Sequence, residues 1–169
     1  MGDVFKEQIV KRQQTSKDVA KRIGLIIGAI LIFLIAQALI PAISVIIGTA
    51  ALFGALFISS FLKAEYEYVF TNGELDIDVI YNRSRRKRAF SCYVNNVEIM
   101  AHLEDTTHMG EFHRAQETRD YSSGVVGPDT YAFLINHGGK YLKVIIEPNE
   151  KMMAALKTAV PRTKLHLKK

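Results

Sequence analysis

Three histidines, His102, His108 and His113, stand six and five positions apart, with Glu104, Asp105 and Glu111 among them. Imidazoles and carboxylates are metal-binding side chains, and a zinc site needs them to converge about 2 Å from one ion. This spacing matches no familiar metal motif. Histidines of a polar surface loop are the ordinary explanation, so no metal site and no cofactor is expected. Cys92 follows a run of cations that could lower a thiol pKa, but no motif supplies a paired base, and a buried strand cysteine is the better reading. "DYSSG" lacks the Gly-x-Ser-x-Gly pattern of a nucleophile elbow. No phosphate-binding loop, dinucleotide fingerprint or paired-carboxylate signature is present, and the chain is not expected to be an enzyme. The least favoured alternative is an enzyme built on the His102/His108/His113 loop.

The strongest charge feature is "YNRSRRKRAF". It places Arg83, Arg85, Arg86, Lys87 and Arg88 in six consecutive positions. Lys plus Arg number 22 against 17 Asp plus Glu, a formal net charge of +5. Removing these five leaves a neutral remainder, so the charge excess is local and describes a surface. Nucleic acid is not expected as a partner, because no exposed aromatics for stacking and no groove-entering helix accompany the run. Anionic lipid is favoured over a solvated hairpin that merely guards a sheet edge. A single cysteine excludes an internal disulfide and suits a reducing compartment.

Where these residues sit depends on the apolar stretch Ile23 to Leu62, which contains no Asp, Glu, Lys, Arg or His over its 40 residues. As one helix it would be roughly 60 Å long, twice the roughly 30 Å hydrocarbon core of a bilayer. Pro41 lies near its middle and restricts the residue before it. The expectation is a transmembrane helical hairpin over 23–62, with spans of about 23–39 and 42–62. A signal peptide has a much shorter apolar region. Gly24 with Gly28 and Ala50 with Gly54 form small-xxx-small pairs suited to helix–helix packing. Lys6, Lys11, Arg12, Lys17, Lys21 and Arg22 precede the first span, so both chain ends are expected to be cytoplasmic in a two-span protein of the cell membrane. Residues 1–22 read either as a helix lying on the membrane surface or as a solvated basic tail.

Beyond Leu62 the period becomes two. "EYEYVFT" and "ELDIDVI" flank Asn72-Gly73, a strong hairpin signal. Further strands are expected over 86–92, 97–102 and, irregularly, 116–122. "TYAFLIN" and "KYLKVIIE" flank a second turn at His137-Gly138-Gly139. Residues 103–129 are polar and resist assignment. Asn149 caps a helix carrying Met152, Met153, Leu156 and Val160 at helical spacing, and Pro161 stops it. The tail 162–169 is basic and expected to be frayed.

Six or seven antiparallel strands in two sheets, closed by a C-terminal helix, resemble the pleckstrin-homology (PH) superfold. With the hairpin in front, the chain is similar to a group of bacterial two-span membrane proteins with a C-terminal PH-like domain, here residues 63–161. "YEYVFTNGELDIDVIYNRSRRKR", "VNNVEIM", "DYSSG" followed by "YAFLIN", and "EPNEKMMAALKTAVPR" carry the likeness. It implies an α+β PH-like fold and no activity. In lipid-binding PH domains the basic residues cluster around the loop between the first two strands. Counted from "EYEYVFT", that loop is the uncharged Asn72-Gly73, so nonspecific anionic contact by Arg83, Arg85, Arg86, Lys87 and Arg88 is expected rather than a phosphoinositide pocket. The expected function is a noncatalytic membrane-anchored adaptor that contacts the bilayer, anionic headgroups or an unidentified protein partner. The alternative is a self-associating subunit of the cell envelope.

Overall fold

The structure, a computed structural model, describes residues 4–14, 16–60, 64–81 and 84–166, apart from the side chain at position 17. The chain divides into two compact units. One comprises Met1–Gln13, Glu65–Ile80 and Arg86–Lys169; the other comprises Gln14–Ala64 with Tyr81–Arg85.

The second unit is a pair of helices, α1 (Ser16–Leu39) and α2 (Ser44–Ser60), joined by a 3-10 turn at Pro41–Ile43. Proline opens that turn, where its missing N–H costs nothing. Ser44 is fully buried; its one hydroxyl proton is shared between Gln37 Oε1 and the Pro41 carbonyl, so this hydroxyl finds its partners within the hairpin. Both helices are long and apolar enough to cross a membrane, and only 11% of each span is buried. Core helices of soluble proteins are mostly buried; here Val45, Phe53 and Phe57 are more than 60% exposed.

The first unit packs two sheets. The first sheet, in the order β1-β2-β3-β4, contains β1 (Phe5–Lys11), β2 (Ala64–Thr71), β3 (Glu74–Tyr81) and β4 (Arg85–Tyr93). Asn72 and Gly73 make the tight turn between β2 and β3 with φ of 49° and 93°. Those left-handed angles are what a two-residue hairpin requires, and they explain the Asn-Gly pair. The second sheet contains β5 (Val97–His102), β6 (Glu117–Asp120), β7 (Tyr131–His137), β8 (Lys140–Ile146) and β9 (Leu165–His166), in the order β6-β8-β7-β5-β9. Helix α3 (Glu150–Ala159) follows β8. Tyr68, Phe70, Leu75 and Ile77 from the first sheet are almost fully buried, as are Phe133, Leu142, Val144 and Ile146 from the second and Met152 and Leu156 from α3. The Tyr68 hydroxyl donates to the Tyr121 carbonyl at 2.6 Å and accepts from the Glu147 amide at 3.2 Å, which lets a phenol sit in the core.

Three sequence expectations change here. The segment 1–22 is neither a surface helix nor a tail over residues 5–11: these form β1, paired antiparallel with β2 from Phe5↔Thr71 to Lys11↔Glu65. The strand count rises to nine among the described residues, and β6–β8 and β5–β9 are parallel pairs, so the second sheet is mixed rather than wholly antiparallel. The tail expected to fray supplies β9 beside β5. The unassigned stretch after β5 also has a physical role. A 3-10 segment, Met109–Arg114, brings Phe112 onto Ile99, Ala101, Ala132 and Leu134. Sheet 2 is therefore apolar on both faces, and this loop covers the second one. Lys143 and Arg114 stand over the Phe112 and Tyr141 rings at 5.2 and 5.3 Å.

The helix cap is as read. Asn149 Oδ1 accepts from the Met152 amide at 2.8 Å. Asn149→Ala is expected to lower domain stability by about 1 kcal/mol in urea unfolding, the usual cost of a lost N-cap.

Candidate membrane-contact site

The basic run begins at the turn between β3 and β4, where the Ser84 amide donates to the Tyr81 carbonyl at 3.1 Å. Acidic residues alternate along β2 and β3, and basic ones fill β4, so β3 and β4 meet as charge-complementary neighbours and Arg86 reaches across β3 to β2. Arg86 donates to Glu67 Oε1 at 2.6 Å; Arg88 reaches Asp78 Oδ1 at 2.5 Å and Asp76 Oδ1 at 2.7 Å. Glu67 and Asp78 side chains are only 2% and 9% exposed, whereas the two arginines are more than half exposed. These ion pairs link β4 to β2 and β3. Arg85 and Lys87 are exposed and form no ion pair among the described residues. Arg83, the remaining member of the expected contact set, lies outside the described residues, as does Lys63. Alternating Glu and Asp opposite a basic strand was the signal that could have separated Arg86 and Arg88 from the others.

Burial pushes Glu67 above its ordinary value of 4.5, helped by a hydrogen bond to Glu7 and by the Glu7 and Asp78 charges, against the pull of Arg86. Folded Glu67 thus keeps its proton to higher pH than the unfolded chain does. Between the ordinary value and the raised one the folded state binds more protons, so this contribution to stability is full at low pH and is lost as pH rises through that interval. Glu67→Gln is expected to remove this loss, so that the urea midpoint is raised above the interval relative to the parent and falls more steeply on acidification.

The histidines do not assemble. His102 is buried, with Nε2 beside the Pro128 carbonyl at 3.0 Å and Nδ1 accepting from the Glu104 amide. His108 bonds Asp105 and stacks on His166 with ring centroids 3.6 Å apart, and His113 belongs to the Met109–Arg114 segment. Among the described residues no three His, Cys, Asp or Glu side chains are placed to hold a metal. Cys92 is buried on β4, and burial pushes its thiol up to about 12, far from a reactive thiolate.

A Cβ added at Gly24, Gly28 or Gly54 would meet no atom within 4 Å, and Ala50 is exposed. The close approach within the hairpin is at Gly48, whose Cβ would collide with the Phe33 ring, and at buried Ala29, Ala36 and Ala55. Gly24, Gly28 and Gly54 instead line an apolar groove of about 640 Å³ between α1 and α2, with Lys21 among its residues.

The register of β1 against β2 decides what the hairpin is in the fold. Lys11 and Glu65 are partners on adjacent strands, so residues 12–64 are the connection between the first two strands of the domain. Two sheets and a following helix, with an apolar hairpin in place of the first loop, define a PH-like domain. The chain belongs to the bacterial PH-like domain family (DUF6106), whose match covers residues 2–165. That span starts before β1, so the domain is not a C-terminal appendage at 63–161: the helices lie inside it. No curated protein and no solved structure matches the chain.

Proposed function

We propose that this protein is a noncatalytic, membrane-anchored adaptor that presents its PH-like domain to the cytoplasmic face of the cell membrane, for contact with anionic lipid and a protein partner. The observation that carries this reading is the insertion of a two-helix apolar hairpin between adjacent strands β1 and β2. A loop that would otherwise cap the sheet end becomes a double anchor, with both attachments at one end of the sheet. The turn joining β3 to β4 is at that same end, since β3 runs back from Asn72-Gly73, and Tyr81–Arg85 groups with the helical unit. Arg85 and Lys87 are then the described cations available to headgroups. Each cation beside an anionic leaflet contributes about 1 kcal/mol, enough to set the domain's tilt and far less than the spans contribute as an anchor. Basic residues before the uncharged stretch, including Lys21 and Arg22 in the first two turns of α1, support a cytoplasmic domain.

The test is labelling of intact cells with a membrane-impermeant maleimide at Lys140→Cys and Lys151→Cys, both exposed sites. No labelling before lysis and full labelling after it is expected. Labelling of intact cells would place the domain outside and remove this reading.

A second reading, a self-associating envelope subunit, is favoured by the groove fronted by Gly24, Gly28 and Gly54, since small residues open to the outside of a hairpin admit another helix. Crosslinking in membranes separates the two: Gly28→Leu or Gly54→Leu abolishes crosslinked dimers on this second reading and changes nothing on the first.

A further inference from the structure

We propose that β9 is a pH-operated latch: the stack of His166 on His108 holds it to the edge of β5 while at most one of the two rings is charged, and a second proton releases it. The ring centroids are 3.6 Å apart and the planes are 22° from parallel. That arrangement suits two neutral imidazoles, or one neutral and one charged. Doubly protonated, it sets two cations face to face.

Local bonds fix His108. Strand β5 ends at His102, and the Asp105 amide donates to the His102 carbonyl at 3.0 Å to close a turn. Asp105 then accepts at both oxygens, from the Thr107 amide at 2.9 Å and from His108 Nδ1 at 2.7 Å. With Nδ1 donating to a carboxylate, Nε2 is the nitrogen that takes up a further proton. The bond from His108 holds Asp105 below its ordinary value of 3.8, so the carboxylate stays charged while imidazoles titrate. The second ring comes from the other end of the chain. Strand β9 lies parallel to β5 with Met100↔Leu165 and Ala101↔His166 in register, two pairs against the seven that hold β1. An element with so short a ladder depends on its side-chain contacts to stay docked.

The neighbouring charges decide the direction of the switch. Asp105 offsets one imidazolium. A second is opposed by the first and by Arg162 and Lys164 on the turn that leads into β9. On β5, Glu98 is bound by Arg114 at 2.8 Å. His102 is held neutral, its Nδ1 accepting from the Glu104 amide and its Nε2 beside the Pro128 carbonyl. Glu104, Glu111 and His113 are the remaining ionisable groups of the segment that carries His108. With His166 in water, the released form binds more protons than the latched form, so acid favours release. The change falls where a free imidazole titrates, at about pH 6.5. Departure of β9 leaves β5 as an open sheet edge.

The test is hydrogen–deuterium exchange of the full chain in detergent micelles, at about one pH unit above and below the free imidazole value, with rates corrected for the intrinsic effect of pH. Protection of the β9 amides is expected to fall on the order of tenfold at the lower pH, while β7 and β8 keep theirs. His108→Phe and His166→Phe each retain a stacked ring and remove one of the two charges. In either variant β9 is expected to be equally protected at both pH values, with β7 and β8 reporting that the domain is folded. Equal protection of β9 in the parent at both pH values would overturn the proposal. So would a folded variant that loses β9 on acidification as the parent does, since the switch would then belong to another group such as His102. A second measurement needs no substitution. The ring resonances of both His108 and His166 in the parent must titrate over the pH range in which β9 is released, and release while either ring keeps its charge state would also overturn the proposal.

Discussion

A chain in which residues 14–63 are replaced by two glycines is expected to fold as a soluble PH-like domain with one cooperative unfolding transition, while a chain that begins at Ala64 is expected not to fold. The first change leaves Arg12-Gln13-Gly-Gly-Ala64 as a five-residue loop between the paired residues Lys11 and Glu65, within the usual two to five of a β-hairpin. The second removes β1. With it go seven strand pairings, the buried Val10, and both bonds of the Gln8 side chain, which donates to the Glu147 carbonyl and accepts from the Asn149 amide, each at 2.8 Å. Also lost are the bonds that join Val4 to Asn72 at the far hairpin turn and Gln13 to Ser123. At about 1 kcal/mol net for each hydrogen bond, the deficit approaches the whole 5–15 kcal/mol by which such domains are stable. Circular dichroism and urea unfolding without detergent decide it: equal midpoints for the two chains would show that β1 is dispensable and the insertion topology incidental. Gln8→Ala in the shortened chain isolates one element, with an expected loss of about 2 kcal/mol from two bonds to backbone groups.

How much of this was legible in the sequence follows from where local pattern carries the information. The Asn72-Gly73 and His137-Gly138-Gly139 turns, the alternating strands on either side of them and the Asn149 cap each depend on residues close together in the chain, and all are where they were expected. Strand β1 was invisible because its pattern is not that of a half-buried strand: Phe5 and Ile9 are exposed, Val10 is buried and polar Gln8 does the docking. Its partner lies 54 or more positions away, across a hydrophobic stretch that looks like a boundary. That single omission moved the count of strands by one, which is why the loop between the first two strands was sought at Asn72-Gly73 when it is the hairpin itself. The ion pairs of Arg86 and Arg88 were within reach of the sequence, since acidic residues alternate on the two preceding strands. The role of Phe112 was not, because nothing local says that sheet 2 needs a cover on its second face.

Charge reversal is expected to divide the basic run into two functional halves. In the shortened soluble domain, Arg85→Glu with Lys87→Glu should weaken binding to anionic vesicles while leaving the urea midpoint unchanged. At about 1 kcal/mol per cation near the surface, losing two attractions alone corresponds to a loss on the order of 30-fold in affinity at low salt, and the two repulsions that replace them deepen it. The difference should shrink as salt shortens the Debye length. Arg86→Ala and Arg88→Ala should do the reverse. Glu67 and Asp78 would keep their buried positions without a cation, at a cost of about 1–3 kcal/mol for each unpaired group. The lower end is expected because both arginines are more than half exposed and their ion pairs partly screened. Vesicle flotation across a salt series reads the first property, and urea unfolding reads the second. If Arg86→Ala, still folded, lost vesicle binding as strongly as the Arg85/Lys87 pair, the arginine would have to exchange Glu67 for a lipid phosphate at the membrane. The exchange is resisted by the burial of Glu67, which cannot follow its partner into the headgroups and would be left charged in the sheet or forced to take up a proton. A membrane-induced rise in the Glu67 pKa would accompany such a switch, and Glu67→Gln would then strengthen vesicle binding. The separation of lipid contact at Arg85 and Lys87 from sheet integrity at Arg86 and Arg88 therefore stands or falls on whether these two sets of substitutions move different measurements.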